Sequence, residues 1–170
     1  MTLKLIGEYK YKNKEEDDFE GIKLGPYVFE NGSVYTGSWK NGLRHGRGRQ
    51  VWNDGSIYEG EWLVNTATGN GRLVHADGDI YEGTWKNDKA NGKGKYKHID
   101  GASYEGDWYE DKQHGEGVEI WPDGATFSGH YEMGKKQGKG KFLWKDGSTY
   151  EGDFANNNIE GVGTYTWSDK

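Results

Sequence analysis

A 23-residue period runs through this chain and restricts it to repeat architectures. Six units follow one another in phase, at residues 35–57, 58–80, 81–103, 104–126, 127–149 and 150–170. Each unit begins with Tyr or Phe, has Gly two positions later, and has Trp, Tyr or Phe two positions after that. A fixed period of this size is typical of arrays in which each small unit packs only against its neighbours. The sequence therefore predicts one continuous array over residues 35–170, which indicates a scaffold rather than an enzyme.

The composition indicates a thin sheet. Only 32% of the 170 residues are hydrophobic and 29 are glycine, which is too little apolar material for a thick two-layer core. Low apolar content is also typical of disordered chains. Disorder is disfavoured here because eight Trp and twelve Tyr residues recur in phase with the period. A single-layer sheet stabilised by aromatic side chains reconciles these observations.

Charge and hydropathy exclude several classes of protein. The net charge is -6 with both signs interspersed, so there is no basic footprint for nucleic acid. The absence of Cys excludes disulfides and thiolate chemistry and fits a reducing compartment. Residues 1–12 lack the apolar core of a secretory signal, and no apolar run approaches the roughly 20 residues that span a bilayer. The expectation is a soluble cytoplasmic protein.

Each unit predicts one β-hairpin. In the first unit, two short runs flank residues 53–55 (Asn-Asp-Gly), a connection that ends in the Gly a hairpin turn requires. Counting outward from this turn places Arg49 opposite Glu59 and Gly48 opposite Gly60. The charged pair recurs as Arg72 with Glu82, Lys95 with Glu105, and Lys141 with Glu151. In a repeat that lacks the cation the acid is also absent: Val118 faces Ser128 there. This covariation supports the register.

The predicted hairpins have two different faces. One face carries the ion pairs and β-branched residues, and the other carries aromatic residues such as Tyr58 and Trp62 beside paired glycines. A pair of glycines leaves room for neighbouring rings to lie across the strand. The connection between units, such as residues 40–47, is predicted to be longer and more variable. The predicted fold is an all-β, elongated, single-layer antiparallel β-meander solenoid of hairpin repeats.

The ends of the chain depart from the pattern. Residues 1–34 are interpreted as a degenerate first repeat, with a worn first half at 5–9 and an acidic insertion at 12–21. The insertion lacks the alternating oxygen ligands of a calcium loop, which favours an acidic surface excursion. The last unit stops before its turn glycine, and an uncapped edge strand there predicts end-to-end or edge self-association.

Candidate catalytic and metal-ligating residues do not form a site. His75 and His98 are one unit apart, about 9.6 Å across two strands, too far to share a zinc ion with ligand nitrogens about 2.1 Å away. The repeated glutamates Glu59, Glu82, Glu105 and Glu151 each face a cation, which favours structural ion pairs over general-acid catalysis. The Gly-x-Gly pairs are not followed by the Gly-Lys-Ser/Thr of a phosphate loop. We predict no catalytic residue, no cofactor and no metal.

The pattern Tyr-x-Gly-x-Trp, a turn, Gly-x-Gly and a late Asp-Gly resembles the MORN repeat (membrane occupation and recognition nexus). The resemblance covers residues 27–170 and, in degraded form, 5–26. The departures are small: Phe127, Tyr131 and Phe154 replace Tyr or Trp, and His75 and His98 replace a late aromatic residue. The family occurs in radial spoke heads of the ciliary axoneme, in protist cytoskeletal scaffolds and in membrane-bridging junctions. It also precedes catalytic domains in some plant phosphoinositide kinases.

The resemblance implies a non-catalytic scaffold in a cytoskeletal or axonemal assembly, which binds a helical or extended partner segment, or another array, along its aromatic groove. The implied partner-binding residues are Tyr35, Trp39, Tyr58, Trp62, Tyr81, Trp85, Tyr104, Trp108, Tyr131, Tyr150 and Phe154. The alternatives are a phospholipid tether and a regulatory adaptor for a kinase. Weak lipid contact is predicted at Lys135, Lys136, Lys139 and Lys141, which cluster in one unit and attract anionic surfaces.

Overall fold

The strands of this protein follow the chain order in one open antiparallel sheet. The computed structural model describes residues 6–12 and 21–169. Over these residues the thirteen strands are β1 (Ile22–Val28), β2 (Val34–Lys40), β3 (Leu43–Val51), β4 (Ile57–Leu63), β5 (Thr66–Val74), β6 (Ile80–Lys86), β7 (Lys89–Lys97), β8 (Ser103–Tyr109), β9 (Lys112–Ile120), β10 (Thr126–Glu132), β11 (Lys135–Leu143), β12 (Thr149–Ala155) and β13 (Asn158–Thr166). The chain divides into two compact units, Met1–Lys89 and Ala90–Lys170, which share the same construction. The prediction of an all-β hairpin meander is confirmed.

The turn inside each repeat has the predicted glycine geometry. Gly55 has a φ of 89°, and its amide donates to the Trp52 carbonyl at 3.0 Å. Positive φ is unstrained only for residues such as glycine. The Asp54 carboxylate accepts hydrogen bonds from the Ser56 hydroxyl and from the Ser56 amide at 2.8 Å. These bonds from Ser56 hold the pKa of Asp54 below its usual value and stabilise the turn.

The connection between repeats is shorter than predicted. Asn41 and Gly42 form a two-residue turn with φ of 51° and 73°, the signature of a type I′ hairpin, and β3 begins at once. The prediction of a long loop over 40–47 is wrong because the extra residues enter the strand. They form a bulge opposite Ser38, where Gly46 has a φ of 80°.

Asn or Asp at the second turn position also ties adjacent repeats together. The Asn65 side-chain oxygen accepts a hydrogen bond from the Arg44 amide at 2.8 Å, and the Asn65 amide donates to the Arg44 carbonyl at 3.0 Å. In the second unit, Asn157 binds the backbone of Lys136 in the same way. Asn or Asp in this left-handed conformation therefore stabilises the contact between repeats, because its side chain accepts a hydrogen bond that Gly cannot accept.

The predicted register and most of its ion pairs are confirmed. Gly48 pairs with Gly60, and Arg49 pairs with Glu59 at 3.7 Å. The pairs Lys95–Glu105 (3.0 Å) and Lys141–Glu151 (3.8 Å) also form. Arg72 differs: it binds Glu59 at 2.7 Å rather than Glu82, because Glu59 on β4 is flanked by both Arg49 and Arg72.

The N-terminal segment does not form the expected half-repeat over the residues described. Residues 7–12 contain no strand, and they lie against the ion-pair face of the first unit. Tyr9 and Tyr11 stack on the guanidinium groups of Arg72 and Arg47, at 5.6 Å and 4.6 Å. Ile22–Val28 form β1, and a turn connects it to β2. The acidic segment lies largely outside the described residues.

Candidate functional site

The floor of the aromatic face consists of tyrosine rings lying on glycine. Tyr58 lies over Gly60 and Gly71, and a Cβ placed on Gly71 would be 2.4 Å from the Tyr58 hydroxyl oxygen. The Tyr58 hydroxyl donates to the Glu61 carbonyl at 3.0 Å, and the residue is 1% exposed. Burial raises the pKa of Tyr58 above its usual value. The predicted role of the paired glycines is confirmed.

Tryptophans join these tyrosines into a ladder. In the first unit the Trp62 indole N–H donates to the Gly48 carbonyl at 3.1 Å. The Tyr58 ring contacts Trp62 and Trp85 edge to face, both at 5.1 Å between centroids. Edge-to-face pairs add about 0.5–1.5 kcal/mol beyond area burial. Tyr35 contacts Trp39 and Trp62 in the same way, so Tyr35 and Tyr58 each link the tryptophan of their own repeat to that of the next.

The second unit keeps the ladder despite its substitutions. Tyr131 stands in a Trp position, and its hydroxyl donates to Glu119 at 2.8 Å. Phe127 contacts Tyr131 at 5.4 Å and Phe154 at 5.0 Å, again edge to face. Phe127 lies over Gly129 and Gly140 as Tyr58 lies over its glycines.

Most of the predicted partner-binding residues lie in this floor. The buried ones are Tyr35, Tyr58, Trp62, Tyr81, Trp85, Tyr104, Tyr131, Tyr150 and Phe154, whereas Trp39 and Trp108 are half-buried. Because these rings are buried, they stabilise the sheet. Their role as partner contacts stays a prediction. A second layer covers part of the floor and faces solvent. It includes Tyr96, Trp121, Phe142 and Trp144.

Two cations occupy this second layer, and the sequence reasoning missed one of them. The Arg44 guanidinium lies 4.3 Å from the Trp62 ring centroid and donates to the Gln50 side chain at 2.9 Å. Burial lowers the pKa of Arg44. Lys136 holds the same repeat position, which reads Arg, Ala, Ala, Gln, Lys and Ile through the six units. Reading that position down the repeats is the signal that would have found both.

The four lysines predicted to contact lipid do not form one patch. Lys136 lies on the aromatic face, where it pairs with Glu119 at 3.2 Å. Lys139 and Lys141 lie on the opposite face and pair with Asp153 and Glu151. The hydrogen bond from Lys139 lowers the pKa of Asp153. Three of the four lysines are thus paired and divided between two faces, an arrangement that weakens any attraction to an anionic surface.

The remaining candidate groups are the histidines and carboxylates of residues 6–12 and 21–169. Within these ranges, no group of three His, Asp or Glu side chains is placed to hold a metal ion. The Nδ1 atom of His130 lies 3.0 Å from the Glu116 carboxylate. No helix in this part of the chain is long and apolar enough to cross a membrane.

Two clefts open on the aromatic face, one in each unit. The cleft in the first unit, about 470 Å³, is apolar and lies between β1 and the ladder, with Leu24, Tyr27 and Trp39 in its lining. The cleft in the second unit, about 270 Å³, lies above Tyr104 and Trp108. Both are large enough to admit a side chain, so the aromatic face can receive residues of a bound segment.

Comparison with known proteins gives one strong match. The family model of the MORN repeat matches residues 35–57, 58–80, 81–103, 104–126, 127–149 and 150–170. This repeat is a non-catalytic module that suggests protein interaction or scaffolding. No curated protein sequence matches the chain.

Several solved structures are similar at low identity. The TCP domain of SAS-4 (dCPAP) from Drosophila melanogaster, in complex with a proline-rich motif of Ana2 (dSTIL), is 16% identical over 73% of this chain and 68% of that chain, with a TM-score of 0.47. The wild-type TCP10 domain of Danio rerio CPAP is 14% identical over 75% and 60%, with a TM-score of 0.46. The CPAP G-box domain is 11% identical over 85% and 80%, with a TM-score of 0.43. At these values the likenesses carry no functional argument for this chain.

Proposed function

Because this chain belongs to the MORN-repeat family, we propose that it is a scaffold subunit that binds a protein segment along its aromatic face. The observation that carries the proposal is the layered construction of that face. A rigid floor of buried rings supports a second layer of half-exposed aromatic residues with side-chain-sized clefts. Aromatic residues on rigid elements are the usual anchors of protein interfaces.

The opposite face is less suited to bind a partner. Its side chains form ion pairs with one another across the strands, such as Lys95 with Glu105 and Lys141 with Glu151. In the first unit, Tyr9 and Tyr11 already cover part of it. Exposed ion pairs contribute little to binding because they exchange one set of solvated contacts for another. The aromatic face is therefore the proposed docking surface.

The proposed setting is a cytoskeletal assembly, with the radial spoke head of the ciliary axoneme as the specific candidate. The support is the family resemblance together with the array itself, in which each described repeat adds two strands to the sheet without interruption. Within each unit, the regular succession of strands sets the spacing between successive binding positions. Such spacing is useful in an assembly whose components sit at set distances.

Affinity capture with face-specific variants tests the proposal. Leu73→Arg places a charge on the half-buried aromatic face, and Val118→Arg is its matched control on the exposed opposite face. Captured from a cytoskeletal or axonemal extract at moderate salt, the wild type and Val118→Arg are expected to retain the same proteins in fixed proportion. Leu73→Arg should lose them while keeping its circular dichroism spectrum. Equal recovery by all three proteins would reject the aromatic face as the docking surface.

A further inference from the structure

Lys136 places a cation over aromatic rings of the chain's own aromatic face. The Lys136 Nζ lies 5.3, 5.0 and 5.5 Å from the ring centroids of Trp121, Phe127 and Tyr131. It also pairs with the Glu119 carboxylate at 3.2 Å, and its side chain is only 15% exposed. An ammonium group over aromatic faces is stabilised by the ring quadrupoles, more strongly when it is partly desolvated.

The same site exists one repeat earlier without its cation. Subtracting the 23-residue period from Lys136 gives Gln113, a neutral side chain. Subtracting it from the surrounding residues Glu119, Trp121, Phe127 and Tyr131 gives Tyr96, His98, Tyr104 and Trp108. These four residues and Gln113 all line the cleft of about 270 Å³ in the second unit. The chain thus repeats the aromatic surroundings of Lys136, but Gln113 replaces the lysine and Tyr96 replaces the carboxylate that pairs with it.

The walls of this cleft are held in place. The Trp108 indole N–H donates to the Gly94 carbonyl at 3.1 Å, and the Tyr104 hydroxyl donates to the Asp107 carbonyl at 2.8 Å. Tyr96 and Trp108 are 6.2 Å apart between centroids, with their planes inclined by 36°. Fixed rings bind a cation without an ordering penalty, because their rotamers are set before binding.

The charge around the cleft favours a cationic occupant. Of the carboxylates in residues 104–126, Glu105, Asp107 and Glu116 lie on the opposite face and pair with Lys95, Lys93 and His130. Asp111 and Glu119 line the cleft itself, together with Lys112, which is exposed. Carboxylates at the rim of an aromatic pocket attract a basic group and oppose an acidic one.

We propose that the cleft between Tyr96 and Trp108 binds a lysine or arginine side chain of a protein partner. The partner's cation takes the place that Lys136 takes in the following repeat. This inference rests on the proposed function and names the chemistry of one contact within it. The cleft of about 270 Å³ is large enough to admit a basic side chain from a segment that lies along the aromatic face.

The test uses the full chain and a pair of synthetic peptides, acetyl-Ser-Gly-Lys-Gly-Ser-amide and the same peptide with norleucine for lysine. The lysine peptide should shift the NMR signal of the Trp108 indole N–H, and the norleucine peptide should bind about tenfold more weakly. Gln113→Lys should fill the cleft from within and remove the lysine-peptide shift. Lys136→Gln should open a second site, so that the Trp121 indole signal also responds.

The outcomes separate the inference from the proposed function. Equal binding of both peptides, an unchanged Trp108 response in Gln113→Lys, or no new response in Lys136→Gln would each overturn the inference. Affinity capture by Gln113→Lys gives the second arm. If that variant retains the captured proteins at wild-type yield, the scaffold function stands and the basic contact does not. If the wild type captures nothing, the scaffold function fails, and the peptide titration still decides whether the cleft binds a cation.

Discussion

Gly140→Ala tests whether the sheet depends on rings lying on bare backbone. A Cβ at this position would meet Cε2 and Cζ of Phe127 at 2.6 Å, whereas its next neighbour, Cδ2 of Phe154, is 3.3 Å away. The backbone does not oppose the change, because Gly140 is not among the residues with positive φ. Phe127 is fully buried, so its ring has no solvent-exposed position to move into. The substitution therefore isolates one steric contact.

The expected loss of stability follows from the contacts of that ring. Overpacking a core typically costs about 1–3 kcal/mol. Displacing Phe127 also weakens its edge-to-face pairs with Tyr131 and Phe154, each worth about 0.5–1.5 kcal/mol. Replacing Gly by Ala in a strand returns about 0.5–1 kcal/mol of backbone entropy. The net expectation is a loss of about 3 kcal/mol in the free energy of unfolding.

Urea denaturation followed by tryptophan fluorescence measures this loss, and a double-mutant cycle assigns its cause. In a Phe127→Leu background, which lacks the two clashing atoms, Gly140→Ala should cost less than about 1 kcal/mol. Gly25→Ala is the matched control, since nothing lies within 4 Å of its added Cβ. A wild-type midpoint for Gly140→Ala, or an equal loss in both backgrounds, would refute the steric account.

Three further results are expected. Burial raises the pKa of Tyr35, Tyr58, Tyr104 and Tyr131 in the folded protein, so above pH 10 these tyrosines ionise in the unfolded chain first. Each should therefore remove about 1.4 kcal/mol from the free energy of unfolding per pH unit above pH 10. An unchanged free energy of unfolding between pH 10 and 11 would contradict this. Asn65→Gly should cost about 0.5–1.5 kcal/mol in thermal unfolding, because it keeps the turn but loses the hydrogen bond that its side chain accepts from Arg44 of the preceding repeat. An unchanged midpoint would argue against that bond. Anionic phosphatidylserine vesicles should not retain the protein in a flotation assay at physiological salt, since the lysines are divided between two faces; salt-sensitive flotation would favour the lipid alternative.

The repeat made most of the fold predictable. The turn at Gly55 and the pairing of Arg49 with Glu59 follow from counting along one hairpin, because both depend on local spacing. The ion-pair partner is harder to predict for a residue whose strand has a neighbouring strand on each side. Arg72 was assigned to Glu82 and binds Glu59, since a middle strand offers a side chain two opposite neighbours and sequence spacing does not choose between them.

The candidate site was predictable only in its lower layer. The aromatic residues of the floor are fixed by the period, so Tyr58 and Trp62 were identified, but their burial depends on glycines in adjacent strands. The second layer occupies fixed positions of the repeat, such as those of Trp121 and Trp144, but the residue type at several of these positions changes from repeat to repeat. Arg44 was therefore missed, and Lys136 was assigned to a lipid surface although it lies among three rings.

Site-specific photo-crosslinking tests the central claim most directly, because it reports which face meets a partner. The crosslinking residue p-benzoylphenylalanine would replace Leu73 or Phe142 on the aromatic face, and Val118 or Ile120 on the opposite face. After irradiation in a native cytoskeletal extract, protein adducts should form from the two aromatic-face positions and not from the other two. Adducts confined to Val118 and Ile120 would contradict the account, because the partner would then bind the face that carries the ion pairs.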